Sequence, residues 1–159
     1  MERTTMFSAA TDKYAFDWEP LAPVIEEMKP ILAENHAETG LHDMPFFPDY
    51  DRYLGLDQQG HSVLFTIREK PDLILVGFGL FFLDTEIQQK DVVSARQSLN
   101  FIRKGHRGTG YSFMKFCDDM LKKQGVNCVW RQSTSKLDIG KVYERLGYTL
   151  AEQSYVRRL

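Results

Sequence analysis

Cysteine is nearly absent from this chain: Cys117 and Cys128 are the only two among 159 residues. Two thiols cannot staple a small secreted fold. With no C-x-x-C spacing and no histidine beside them, they do not form a zinc or redox motif either. Buried, reduced thiols in a cytoplasmic protein are expected. Charge of one sign is also missing, because 20 Lys and Arg face 22 Asp and Glu for a net charge of −2. That balance argues against a broad surface for nucleic acid or for an anionic membrane. No apolar run is long enough to span a bilayer. Leu73 to Leu83 has about half the length required, contains Gly77 and Gly79, and reads as a central strand. The first residues, Met-Glu-Arg-Thr-Thr, lack the apolar core and small-residue cleavage site of an export signal, so a cytoplasmic location is expected. No repeat and no low-complexity tract is present.

What remains is a globular composition, 43% hydrophobic, 26% charged and 13% aromatic. At this length one domain, residues 1–159, is expected, burying about two-thirds of its unfolded surface. Tyr14 to Trp18 is a short strand. Pro20 to about Glu38 carries Leu21, Val24, Ile25, Met28, Ile31 and Leu32 at three- and four-residue steps, an amphipathic helix that Pro30 is expected to kink or split. Gly40 to Phe47 forms a loop and Pro48 to Leu56 a shorter helix. His61 to Glu69 and Leu73 to Asp84 form a hairpin around Lys70-Pro-Asp72, and Val92 to Ile102 is a third long strand. Phe113, Phe116, Cys117, Met120 and Leu121 recur at helical spacing before Gly125. Asn127 to Gln132 is a short strand, and Ser135-Lys-Leu-Asp138 announces a helix buried on Ile139, Val142, Tyr143 and Leu146. Tyr148 opens a last strand. The order is β-α-α-β-β-β-α-β-α-β.

The chemistry is concentrated in Phe101-Ile-Arg-Lys-Gly-His-Arg-Gly-Thr-Gly-Tyr-Ser112, a strand end, a glycine-rich turn with four basic side chains, and a helix start. Gly108 and Gly110 let backbone N–H groups turn toward one point, and the helix adds its positive end and unpaired first-turn donors. Arg103, Lys104 and Arg107 supply charge opposite. A pyrophosphate suits such a site. A P-loop is excluded, since no Lys-Ser or Lys-Thr follows either glycine. A dinucleotide fingerprint read from Gly108 meets Phe113 where its third glycine belongs.

Arg107-x-x-Gly110-x-Ser112 resembles the R/Q-x-x-G-x-G/A signature of the GNAT N-acetyltransferase superfamily, with Ser112 in place of the usual Gly or Ala. Asp138-Ile-Gly-Lys-Val-Tyr-Glu-Arg-Leu-Gly-Tyr148 is similar to the second coenzyme-binding motif of that superfamily. Ser135 to Gly140, Glu144 to Tyr148 and Phe47 to Leu56 resemble small members encoded by tailed bacteriophages, which would place the protein in the host cytoplasm. The resemblance implies an α/β fold with a mixed sheet between helical layers (α/β/α), splayed after the third long strand to admit the pantetheine arm of acetyl-CoA. It implies coenzyme contacts from Phe101, Ile102, Arg103, Arg107, Gly108, Thr109, Gly110, Tyr111, Ser112 and Lys136, the last near the family's usual Asn. No metal is implied.

The implied mechanism is direct transfer of an acetyl group to a primary amine of a small molecule or a protein. A backbone N–H near Ile102 polarises the thioester, and Tyr143 protonates the leaving thiolate. Tyr143 is equally readable as a core tyrosine. Members with a glutamate on the strand before the glycine turn use it as base, but Ser94 to Ile102 has no carboxylate. His36, Glu38, His42, Asp43 and Tyr155 are the candidates, with a water chain as the alternative. That gap leaves open a second class, a non-catalytic protein on this scaffold that binds a host factor. A homodimer is also open.

Overall fold

The computed structural model describes residues 8–40 and 45–157, so the candidate bases His42 and Asp43 lie outside the described residues. The elements are β1 (Ser8–Ala10), β2 (Tyr14–Glu19), α1 (Leu21–Thr39), α2 (Tyr50–Gln58), β3 (Ser62–Glu69), β4 (Ile74–Glu86) and β5 (Gln89–Ile102), then a 3-10 turn (Arg107–Thr109), α3 (Gly110–Lys123), β6 (Cys128–Trp130) and α4 (Gly140–Arg145). One sheet runs in the order β1-β2-β3-β4-β5-β6, antiparallel throughout except for the parallel pair β5–β6. Its two faces carry separate cores. Phe65, Ile67, Phe81 and Ala95 pack against Phe113, Phe116, Cys117 and Leu121 of α3. Leu64, Leu75, Phe78 and Leu80 pack against Leu21, Val24, Met28, Ile31 and Leu32 of α1, with Tyr50, Tyr53 and Leu54 of α2 alongside. The result is the expected three-layer α/β/α arrangement.

Helix α1 runs unbroken through Pro30. That residue lies on the exposed face, where water can satisfy the carbonyl a proline leaves unpaired. The helix has no cap of its own, because Pro20 precedes it. Asp57 of α2 accepts the Leu21 N–H at 3.2 Å instead, placing a carboxylate at the positive helix end.

Three expectations are corrected. Among the described residues no strand forms after Tyr148; residues 148–157 run as irregular, mostly exposed chain, with Tyr155 at 90% exposure. Helix α4 starts at Gly140 rather than behind Ser135. Ser133, Thr134 and Asp138 hold the preceding turn by accepting the N–H groups of Ile139, Leu137 and Gly140, local bonds that compete with helix. Cys117 is buried, whereas Cys128, on the short edge strand β6, is half-buried.

The feature that positions the site is a fork. Strand β6 pairs with β5 only at Ser94↔Cys128, Ala95↔Val129 and Arg96↔Trp130. Beyond that point β5 keeps β4 on one side and has no strand on the other through Ile102. Ser98 is bulged out of the β4 register, because Leu80 faces Leu99 and Phe81 faces Gln97. The bulge switches the alternation: Ala95 belongs to the α3-side core, while Leu99 and Phe101 belong to the α1-side core.

Arg131 fills the fork. Its side chain is 1% exposed, and it donates to the Tyr148 hydroxyl at 2.9 Å, Gln97 Oε1 at 3.2 Å, the Met114 carbonyl at 3.2 Å and Asp118 Oδ1 at 2.6 Å. Burial works against its charge, but the surrounding groups, the adjacent Asp118 carboxylate foremost, together outweigh it and favour the ionised guanidinium. Asp118→Asn should therefore leave a buried, incompletely matched cation and cost about 3 kcal/mol. Asp119→Asn, at an exposed neighbouring position, should stay within about 0.5 kcal/mol. Denaturant melts of the two variants check this; equal effects would remove Arg131 as the clamp.

Candidate active site

Where the fork opens, a cleft of about 600 Å³ lies between the free edge of β5, the start of α3 and the face of α4. Asn100, Phe101 and Ile102 line it from β5, Arg107 and Gly108 from the turn, and Gly110, Tyr111 and Met114 from α3. Leu137, Ile139, Val142 and Arg145 close the opposite wall. The lining is mostly apolar, with guanidinium groups at two places and the amino end of a 14-residue helix at one end.

Six of the residues expected from the sequence meet here: Phe101, Ile102, Arg107, Gly108, Gly110 and Tyr111. The glycines work differently from the expectation. Gly105 makes the left-handed turn, with φ +86°, whereas Gly110 has ordinary helical dihedrals. A Cβ on Gly108 would meet nothing within 4 Å, and one on Gly110 only Ile102 Cδ1 at 3.5 Å. At these two positions glycine leaves space at the cleft; it does not relieve strain.

The remaining expected residues are placed elsewhere. Arg103 turns to α1 and bonds Glu34 at 2.8 Å. Thr109 is buried in the turn, and Ser112 is exposed on α3. Lys136 donates to the Gly40 carbonyl at 2.6 Å, joining the α4 approach to the end of α1. Arg107 lines the cleft, yet its charge is already matched. It donates to the Ile102 carbonyl at 3.0 Å and to Glu38 at 2.6 Å, and its guanidinium lies 5.6 Å from the Phe101 ring centre. That Arg107 bond holds the Glu38 carboxyl below its usual range. Glu38 is thereby engaged as an ion-pair partner.

Tyr143 sits just behind Val142, 7% exposed, with its ring against Tyr148. Its hydroxyl donates to the Gln132 carbonyl at 2.9 Å and approaches Gln97 Oε1 at 3.4 Å. Burial raises its pKa, with the Arg131 charge opposing, so the phenol is protonated at neutral pH. His36 packs on the Phe46 ring at 5.0 Å. Among the described residues that line the cleft there is no carboxylate and no imidazole. The sequence reading missed Arg131 and Arg145, both arginines in segments it treated as strand or helix surface. It also missed Asn100 and Met114 as lining. Only Arg145 carried a sequence signal, its three-residue spacing from Ile139 and Val142.

No family model matches the chain, and no curated protein matches it. Solved structures do. Ribosomal-protein-alanine N-acetyltransferase from Brucella melitensis superposes with a TM-score of 0.66 at 19% identity, covering 91% of this chain and 99% of that one. Glucosamine-6-phosphate N-acetyltransferase from Arabidopsis thaliana gives 0.69 at 13% identity, covering 91% and 97%. A predicted acetyltransferase from Clostridium acetobutylicum, solved with acetyl-CoA, gives 0.61 at 9% identity, covering 91% and 96%. The chain therefore has the GNAT acetyltransferase fold. Among the described residues no helix is long and apolar enough to cross a membrane.

Burial also raises the pKa of Tyr148, so two phenols beside Arg131 resist ionisation in the folded state. In the unfolded chain tyrosines ionise near pH 10. The folded protein then holds more protons than the unfolded one, and stability should fall as pH rises above about 10. Denaturation midpoints measured between pH 8 and pH 11 check this. The fall should be shallower in a Tyr143→Phe, Tyr148→Phe double variant; an unchanged slope would contradict the assigned burial.

Proposed function

We propose that the protein is an acetyl-CoA-dependent N-acyltransferase that passes an acetyl group directly to a primary amine, of a small molecule or of a protein, with residues 1–159 as one catalytic domain. The observation that carries this reading is the cleft at the fork, where an unpaired strand edge, apolar walls and a helix amino end converge. Coenzyme A is chemically matched to it. Its carbon-rich arm suits Ile102, Met114, Ile139 and Val142, its amides suit the backbone groups of the free β5 edge, and its phosphates suit the first-turn N–H groups of α3. Fold neighbours whose names describe N-acetyl transfer support the same chemistry. The bacteriophage-type resemblance of Phe47–Leu56 and of the α4 region belongs to this reading too.

In this reading a backbone N–H of the free β5 edge polarises the thioester carbonyl, and Tyr143 delivers the proton that the leaving thiolate takes up. The buried phenol is protonated, as an acid must be, and it exchanges its bond to the Gln132 carbonyl when it acts. The amine loses its proton to water, since no carboxylate or imidazole of the described residues lines the cleft. That same lack favours a second reading, a non-catalytic protein that uses the scaffold to bind a host factor. Ligand binding without turnover of any amine in a broad panel would select it.

Thermal melting with acetyl-CoA, coenzyme A and ATP tests the site. Ligand at about a hundred times its dissociation constant should stabilise the fold by about 2.7 kcal/mol, a shift of several degrees at this size. Both coenzyme species should shift the melt and ATP should not; no shift at millimolar ligand would sink the proposal. Gly110→Leu, whose side chain would enter the cleft, should fold and lose the shift.

A further inference from the structure

We propose that Asn100 holds the attacking amine, its side-chain oxygen accepting an N–H of the nitrogen that closes on the thioester; this rests on the acetyl-transfer reading above. Among the described residues three buried side-chain atoms have no hydrogen-bond partner, Ser62 Oγ, Trp130 Nε1 and Asn100 Oδ1, and of these residues only Asn100 lines the cleft. A buried acceptor without a donor costs stability, and one at a ligand-sized opening is matched when a donor arrives from outside. The fork is what isolates it. Asn100 is opposite Gly79 of β4, which offers no side chain, and on the other side β5 has no strand beyond Arg96. Neighbouring polar groups are already engaged: Gln97 Oε1 accepts from Arg131 at 3.2 Å, and the Gln132 carbonyl accepts from the Tyr143 hydroxyl at 2.9 Å.

The oxygen lies at the end of the cleft where the proton for the leaving sulfur is held. Burial raises the Tyr143 pKa, and the Asn100 carboxamide is among the groups close enough to that hydroxyl to oppose the rise. A thioester carries no N–H, whereas a primary amine attacking it carries two. As the C–N bond forms and the C–S electron pair departs on sulfur, positive charge builds on nitrogen, and a carboxamide oxygen accepts a charged N–H more strongly than a neutral one. A carboxamide does not remove the proton at neutral pH. It orients the nitrogen lone pair toward the carbonyl carbon while the surplus proton passes to water; sulfur takes the Tyr143 proton, and the phenol regains one from water.

Two thioethers of coenzyme A probe this role whatever the acceptor is. Carbamoylmethyl-CoA carries an N–H group on the carbonyl carbon, where the amine bonds, and acetonyl-CoA carries a methyl there. The test is calorimetric titration of the wild type, Asn100→Leu and Asn100→Ala with both thioethers and with coenzyme A. The wild type should bind carbamoylmethyl-CoA about tenfold more tightly than acetonyl-CoA, the size of one hydrogen bond to an otherwise unmatched buried acceptor. Both variants should lose that preference and bind coenzyme A as the wild type does. Equal binding of the two thioethers by a wild type that binds coenzyme A overturns the inference alone, and so does a preference that survives in the variants. A parallel loss of coenzyme A affinity in the variants overturns it as well, by assigning the oxygen to the coenzyme arm or to the fold. A wild type that binds no coenzyme A removes the acetyl-transfer reading and this inference together.

Discussion

A buried guanidinium must be matched on every side, and the region around the cleft is built on satisfying Arg131. Its partners come from β5, α3 and the segment after α4, and the Phe81, Tyr143 and Tyr148 rings lie over it at 5.2, 5.9 and 5.5 Å. Pairing of β6 with β5 stops at Trp130, the residue before Arg131, and the free edge of β5 begins beside it. The Ser98 bulge falls at the same level and sends Phe101 to the α1 side while Ile102 stays on the α3 side.

A second constraint ties the glycine-rich turn to α1. Glu34 and Glu38, one helical turn apart, engage Arg103 and Arg107, which are also four residues apart. Further along the helix, Glu27 pairs with Arg68 of β3, whose other partner is Glu19. The long helix is thus pinned to the sheet by Arg68 and to the turn by Arg103 and Arg107, the two arginines that a reading of charge alone assigns to an anion. Local positive charge in the sequence is largely neutralised in the fold. At the cleft itself the start of α3 presents the positive end of a helix dipole.

Much of the fold was legible in the chain. The faces of α1 and α3, the hairpin at Lys70–Asp72, the long strands and the turn into α3 follow from periodicity and turn chemistry, which depend on residues close in sequence. So does most of one wall of the cleft, from Phe101 to Tyr111. The last strand was misread because the alternation after Tyr148 is compatible with a strand, while a strand also needs a partner edge, which is a tertiary matter. The start of α4 was misplaced because Ser133, Thr134 and Asp138 satisfy backbone N–H groups in a turn as readily as in a cap.

By itself, then, the sequence determined the elements from Tyr14 to α3 and the glycine-rich turn, since each depends on local backbone and side-chain preferences, while the strand Ser8–Ala10 went unread and the layers came from the resemblance. The tertiary structure decided which charges stay available. Glu34 and Glu38 stand 69 residues before their arginine partners, and Asp118 stands 13 before Arg131, separations that carry no pattern in a linear chain. Electrostatic pairing is set by distance in space and by burial, so only the folded chain distinguishes an arginine held by a carboxylate from one left unpaired.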